Sequence, residues 1–146
     1  MTKFFASDEA VEGIGVGLLD RSLPKTEWTH AAHFAAALWL LRRHSEAEVA
    51  QRMPGLIRAY NEAVGGANTD TEGYHETITQ ASIREAARVL AGRPPAEPLH
   101  EVTDHLMASP LGDRDWLLAY WSKDRLFSVA ARHAWLAPDL SPLPQA

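Results

Sequence analysis

Apolar residues recur every three or four positions along most of the chain, the spacing of helices that bury one face. No segment of useful length alternates apolar and polar residues as a half-buried strand does. Residues 26–43, TEWTHAAHFAAALWLLRR, are apolar on nearly every face and carry charge only near their ends. A helix of this kind is normally buried all round. We therefore expect an all-α, single-domain bundle spanning 1–146, with roughly five to seven helices around this central one.

Turn and cap residues divide the remaining sequence. Ser7 or Asp8 begins the first helix, whose three glycines either allow close approach of another backbone or loosen the helix. Ser45 and Glu48 form a capping box, and Pro54 should break or kink the helix that follows. Besides the central helix, the predicted helices are 7–20, 45–64, 74–90, 99–106, 115–121 and 123–136.

The composition of the chain excludes or disfavours several classes of function. The chain has 146 residues, no cysteine and a formal net charge of −5, so disulfides and thiolate metal sites are excluded. No Lys/Arg cluster exceeds the pair at 42–43, which speaks against a nucleic-acid partner. The longest apolar stretch, 31–41, is too short to span a membrane, and the N-terminus lacks the apolar run of a signal peptide. We expect a cytoplasmic protein with a small-molecule partner.

Four residues suggest a metal site. His30 and His33 share one face of the central helix, and the inward face of the 74–90 helix is polar at its start, where His75 and Glu76 lie. Two histidines and a carboxylate are ligands of catalytic zinc and of non-haem iron. We expect His30, His33, His75 and Glu76 to hold a divalent metal such as zinc, iron or nickel, with His30 and His75 close enough to share one ion, water or ligand.

The same residues allow simpler interpretations. His33 can be a core or edge histidine with its hydrogen bonds satisfied, and His75 with Glu76 can serve only to cap a helix. On these interpretations, the histidines belong to a buried polar pocket that holds no metal.

Several polar residues interrupt the apolar stripes near these histidines. Tyr74, with Glu76, is a candidate catalytic residue, and Asn61, Thr79 and Arg132 are candidates for substrate binding. The function hypothesis is a metal-dependent enzyme acting on a small molecule at a buried His/Glu site between two helices. The alternatives are a metal-free small-molecule binding or sensing module and a structural protein with no catalytic role.

Three sequence blocks occur together: WTHAAH at 28–33, NTDTEGYHET at 68–77 and LFSVAAR at 126–132. They resemble a family of small uncharacterised bacterial all-α proteins, and the resemblance covers most of the chain from 28 to 143. It implies that the histidine blocks and the Arg132 block belong to one module, and it supplies no activity, substrate or metal. The sequence departs from the expected pattern at Tyr120, where two tyrosine-type aromatics are expected and Trp121 follows instead. That departure leaves the role of the Tyr120 hydroxyl open.

Overall fold

Seven α-helices and three 3₁₀ helices, with no strand, make up residues 3–145, the part of the chain that the computed structural model describes. The helices pack together as a single-domain bundle, which confirms the all-α prediction. The α-helices are α1 (Asp8–Asp20), α2 (His30–Arg43), α3 (Glu46–Ala63), α4 (Glu76–Ala91), α5 (Leu99–Ala108), α6 (Lys123–Leu126) and α7 (Val129–His133). The 3₁₀ helices are Lys25–Glu27, Pro110–Gly112 and Trp116–Ala119.

Helix α2 is the centre of the bundle, as its apolar composition predicts. It packs against α1, α3, α4 and α5, and every position from Ala31 to Leu40 except His33 is buried. The helix begins at His30 and not at Thr26, because the Thr29 hydroxyl caps it by accepting a 3.2 Å hydrogen bond from the backbone N–H of Ala32. His33 is thus the only exposed residue between Ala31 and Leu40.

The glycines of α1 allow close packing. A Cβ atom built on Gly15 would lie 2.2 Å from the Trp39 ring, and one on Gly17 would lie 2.8 Å from Cβ of Leu23. Of the two interpretations of these glycines, close approach of a neighbouring segment is the one that the structure supports.

Helix α3 continues through Pro54, so of the predicted break or kink the break does not occur. Proline cannot donate to the carbonyl four residues earlier, which belongs to Ala50. The side-chain amide of Gln80 in α4 donates to that oxygen at 3.0 Å. A neighbouring helix therefore replaces the hydrogen bond that Pro54 removes, and the carbonyl stays paired.

The last part of the chain is less helical than its periodicity predicts. The expected 123–136 helix is two short helices, because the Ser128 hydroxyl accepts from the N–H of Ala131 and starts a new helix. The segment after α7 is held on α4 by Thr77, whose hydroxyl donates to the carbonyl of Ala134 at 2.8 Å and accepts from the N–H of Leu136 at 3.1 Å. The expected 115–121 helix is reduced to a 3₁₀ helix, Trp116–Ala119.

Across residues 3–145, the structure contains no helix with the length and apolar character that crossing a bilayer requires.

Candidate functional site

His75 both caps α4 and ties it to the last residue of α6. Its Nδ1 accepts a 3.2 Å hydrogen bond from the N–H of Ile78, and its Nε2 lies 2.8 Å from the carbonyl oxygen of Leu126. A carbonyl only accepts, so Nε2 carries the proton and the ring is neutral. Burial, aided by the nearby charge of Arg132, holds the pKa of His75 below its ordinary value. Both ring nitrogens are therefore engaged in the fold.

His30 is tied to the backbone in a similar way. Its Nε2 lies 2.8 Å from the carbonyl oxygen of Leu111 and must donate to it. The ring also contacts Phe34 edge-on, with 5.3 Å between the ring centroids. This hydrogen bond fastens the first turn of α2 to the Pro110–Gly112 helix.

The expected metal ligands do not form a ready-made site. Within residues 3–145, no group of three or more histidine, aspartate or glutamate side chains is arranged to hold a metal ion. His30 and His75 each direct Nε2 at a backbone carbonyl instead of at a common ion. The set His30, His33, His75 and Glu76 is thus not assembled in this structure, because backbone carbonyls already engage two of its imidazoles.

Tyr74 and Glu76, the candidate catalytic pair, are bonded to each other. The buried Tyr74 hydroxyl donates to Oε1 of Glu76, and the Arg58 guanidinium lies 4.8 Å from the centre of the tyrosine ring. Burial and the bond to Glu76 raise the pKa of Tyr74, so the phenol stays protonated. A catalytic role for this pair stays a prediction.

Asn61 and Arg132 both hold the loop that precedes α4. The Asn61 amide donates at 3.0 Å to Oδ1 of Asn68, which also accepts from the N–H of Tyr74 at 3.0 Å. The Arg132 guanidinium donates to the carbonyls of Gly73 and Tyr74 at 3.1 and 3.3 Å. These contacts position the start of α4, and a substrate-binding role for either residue stays a prediction.

An open cavity of about 270 Å³ lies between α2, α4 and the segments around Trp116 and Leu126; we call it the His33 pocket. His30 and His33 both line it, whereas His75, Glu76, Tyr74, Asn61 and Arg132 do not. Its lining residues are His30, His33, Phe34, Ile78, Ser82, Arg114, Asp115, Trp116, Leu117, Leu118, Leu126 and Phe127.

His33 is the most exposed of the three predicted histidine ligands. The residue is exposed to solvent, whereas His30 is half-buried and His75 is buried, and the ring nitrogens of His33 have no hydrogen-bond partner within residues 3–145. The Trp28 ring covers one side, with 4.0 Å between centroids. Burial among the surrounding protein atoms, followed by the charges of His30 and Arg114, lowers the pKa of His33 to about 4. His33 is thus an exposed residue of the pocket lining whose ring has protein atoms close around it.

The pocket rim carries two opposite charges that the sequence interpretation did not single out. Arg114 and Asp115 are exposed, and neither side chain forms an ion pair or a hydrogen bond with another residue of the described range. They lie in the turn directly before the buried Trp116. In the sequence, the only sign of this rim is a pair of adjacent charged residues directly before a tryptophan. Many ordinary turns have the same pattern.

Thr79, the third candidate for substrate binding, lies on the other side of His33. A narrow cavity of about 50 Å³ is lined by Thr79 and Trp28, and it shares His33, Ile78 and Ser82 with the His33 pocket. Thr79 is therefore near the pocket without lining it.

No family model matches the sequence, and the comparisons with curated proteins and with solved structures likewise find no match. The resemblance to a bacterial family therefore stays a prediction, and the site has to be interpreted from its own geometry.

Lowering the pH from 7 to 5 is expected to reduce the free energy of unfolding. The folded protein holds the pKa of His33 and of His75 below 6.5, so the unfolded chain binds more protons in this interval. The histidine contribution is complete above about pH 6.5 and is lost as the pH falls toward 4. Urea unfolding at pH 7, 6 and 5 measures it. His33→Gln should reduce the pH dependence, and an unchanged dependence in that variant would contradict the lowered pKa.

Proposed function

We propose that this protein binds a small organic acid with an apolar body in the His33 pocket, as a metal-free binding or sensing module in the cytoplasm. The main support for the proposal is that the imidazole of His33 has no hydrogen-bond partner and lines an open cavity. The guanidinium of Arg114, which also forms no ion pair or hydrogen bond within residues 3–145, lines the same cavity. His30 and His75, by contrast, are occupied by backbone contacts.

The two polar groups suit an acid. Arg114 has a planar guanidinium that matches a carboxylate with two parallel hydrogen bonds. His33 is neutral at physiological pH because its pKa is about 4, so its ring offers one donor and one acceptor. Asp115 on the same rim repels an anion, which places the acid group on the Arg114 side and favours a ligand with a donor near Asp115.

The rest of the pocket suits an apolar body of modest size. Phe34, Trp116 and Phe127 supply aromatic surface, and Phe127 is 55% exposed. Ligand pockets typically enclose about 300 to 1,000 Å³, so a cavity of about 270 Å³ indicates a small ligand.

Phenylacetate and its neutral amide test the proposal. Both carry the same apolar ring, so only the acid should use Arg114. We expect the acid to bind at least about tenfold more tightly than the amide, which corresponds to roughly 1.4 kcal/mol. Two-dimensional NMR titration of the ¹⁵N-labelled protein gives both dissociation constants and shows whether the indole signal of Trp116 moves.

Variants provide the controls for this titration. Arg114→Gln should remove most of the preference for the acid, and His33→Ala should weaken binding of the acid. Arg52→Gln, which changes an exposed arginine of α3 outside the pocket, should leave both dissociation constants unchanged. Equal affinity for acid and amide, or an equal effect of the two arginine variants, would overturn the proposal.

The metal-dependent reaction expected from the sequence stays a separate prediction. A metal ion bound at His75 would have to displace the hydrogen bond from Ile78 or the one to Leu126. Metal analysis of the purified protein tests this possibility. One equivalent of zinc, iron or nickel that is lost in His75→Ala would favour the metal-dependent enzyme over the module proposed above.

A further inference from the structure

A second and larger cavity borders the segment that contains Trp116. Its volume is about 510 Å³, and Asp115 and Trp116 line both it and the His33 pocket. We call it the Glu85 pocket, after the buried residue of α4 that lines it together with Arg88, His105, Asp113, Trp116 and Tyr120. Apart from Asp115 and Trp116, no residue that the proposed binding of the organic acid uses lines this cavity.

Glu85 is the unusual residue in this cavity. The residue is 2% exposed, and its Oε1 accepts both hydrogen bonds from Arg88, at 3.1 and 2.9 Å. Its Oε2 has no hydrogen-bond partner within residues 3–145. In that range, Nε1 of Trp39 is the only side-chain polar atom that is both fully buried and without a partner, so Oε2 of Glu85 is not fully buried. Oε2 therefore keeps some accessible surface, and Glu85 lines both this cavity and a smaller cleft. A carboxylate in this position has unused acceptor capacity.

The charge balance of the cavity is negative. Glu85 and Arg88 neutralise each other, and the carboxylates of Asp113 and Asp115 remain. The N–H of Asp115 donates to Oδ1 of Asp113 at 2.8 Å, which satisfies only part of that carboxylate. These two carboxylates favour a cation in the cavity.

Two aromatic rings complete the wall. Trp116 and Tyr120 lie nearly perpendicular, with 6.1 Å between their centroids and an interplanar angle of 71°. Aromatic faces attract ammonium groups and also pack against apolar bodies. A smaller cleft that shares Glu85 and Arg88 contains neither of these rings, and the charge of its Arg84 balances that of its Glu46, so it is less suited to a cation.

We propose that the Glu85 pocket is a second binding site, for an organic ammonium ion with an apolar or aromatic body. The ammonium group donates to Oε2 of Glu85 and lies in the negative field of Asp113 and Asp115. The body packs against Trp116 and Tyr120. The site requires neither His33 nor Arg114, so it stands or falls independently of the proposed binding of an organic acid.

Benzylammonium and benzyl alcohol test this site at pH 7. They share a ring and differ in charge, so NMR titration should give a dissociation constant at least about tenfold lower for the ammonium ion. The amide signal of Tyr120, which lines this cavity and not the His33 pocket, should move, and Arg114→Gln should not weaken binding of benzylammonium. Equal affinities, absence of binding, or shifts confined to other parts of the protein would overturn the proposal.

Variants of the wall separate binding from folding. Glu85→Gln should weaken binding of benzylammonium at least about tenfold, whereas Glu9→Gln, an exposed glutamate on α1, should have no effect. Since Glu85→Gln also disturbs the pair with Arg88, Tyr120→Leu provides a variant that leaves the ion pair intact. It should weaken binding of the ammonium ion more than binding of the alcohol. Unchanged binding in Tyr120→Leu, or an equal loss in Glu9→Gln, would contradict the site.

Discussion

Replacing Gly15 by alanine is expected to lower the free energy of unfolding by about 1–3 kcal/mol, the usual effect of overpacking a filled core. The added methyl group would lie 2.2 Å from the Trp39 ring, far inside van der Waals contact. Trp39 is 8% exposed and has the Arg43 guanidinium 4.6 Å from its ring centre, so a shift of the ring would disturb this contact. Urea unfolding at pH 7 measures the change.

Gly13 supplies a matched control in the same helix. A Cβ atom there meets nothing within 4 Å, and the position is exposed. Because alanine is the better helix former, Gly13→Ala should stabilise the protein by about 0.5–1 kcal/mol. If Gly15→Ala were as stable as Gly13→Ala, the close contact between α1 and Trp39 would not be required.

The burial of the central helix could be predicted from the sequence pattern. A stretch with charge only at its ends cannot present a polar face to water, so burial of α2 follows from composition alone. The continuity of α3 could not be predicted in this way. The partner of the carbonyl that Pro54 leaves free is Gln80, which lies 30 residues from Ala50 in the sequence and meets it only in the folded chain.

The histidines show which features of the site could be predicted from the sequence and which could not. Helical spacing predicted that His30 and His33 share a face, and both line one pocket. It could not show that Nε2 of His30 meets the carbonyl of Leu111, 81 positions away, or that His75 meets that of Leu126. Any residue type can supply a carbonyl, so such partners leave no sequence signal. The histidine that remains available was identifiable only from the structure.

The segment 110–119 connects the two cavities. Leu111 accepts the hydrogen bond from His30 and lines the Glu85 pocket, while Trp116 lines both cavities. Arg114 and Asp115 extend from the turn between these two buried residues. The geometry of both rims therefore depends on how firmly this segment is held against α2 and α4.

Thr77→Val is expected to destabilise the protein by about 1–3 kcal/mol, the typical effect of leaving buried polar groups without partners. Valine keeps the shape of threonine but neither donates to the carbonyl of Ala134 nor accepts from the N–H of Leu136. Ala134 is exposed, so water can reach its carbonyl, and most of the loss should come from the half-buried Leu136. Hydrogen exchange should show faster exchange of the Leu136 amide, together with a lower midpoint of urea unfolding.

Thr103→Val is the control for this substitution. Both threonines are fully buried, but the Thr103 hydroxyl donates only to the carbonyl of Leu99, one turn earlier in its own helix. A hydroxyl bonded to the preceding turn adds little to helix stability, so this variant should unfold close to the wild type. The comparison isolates the two hydrogen bonds that hold the C-terminal segment on α4. If Thr77→Val and Thr103→Val had the same effect, or if exchange at Leu136 were unchanged, those bonds would not be what holds the segment in place.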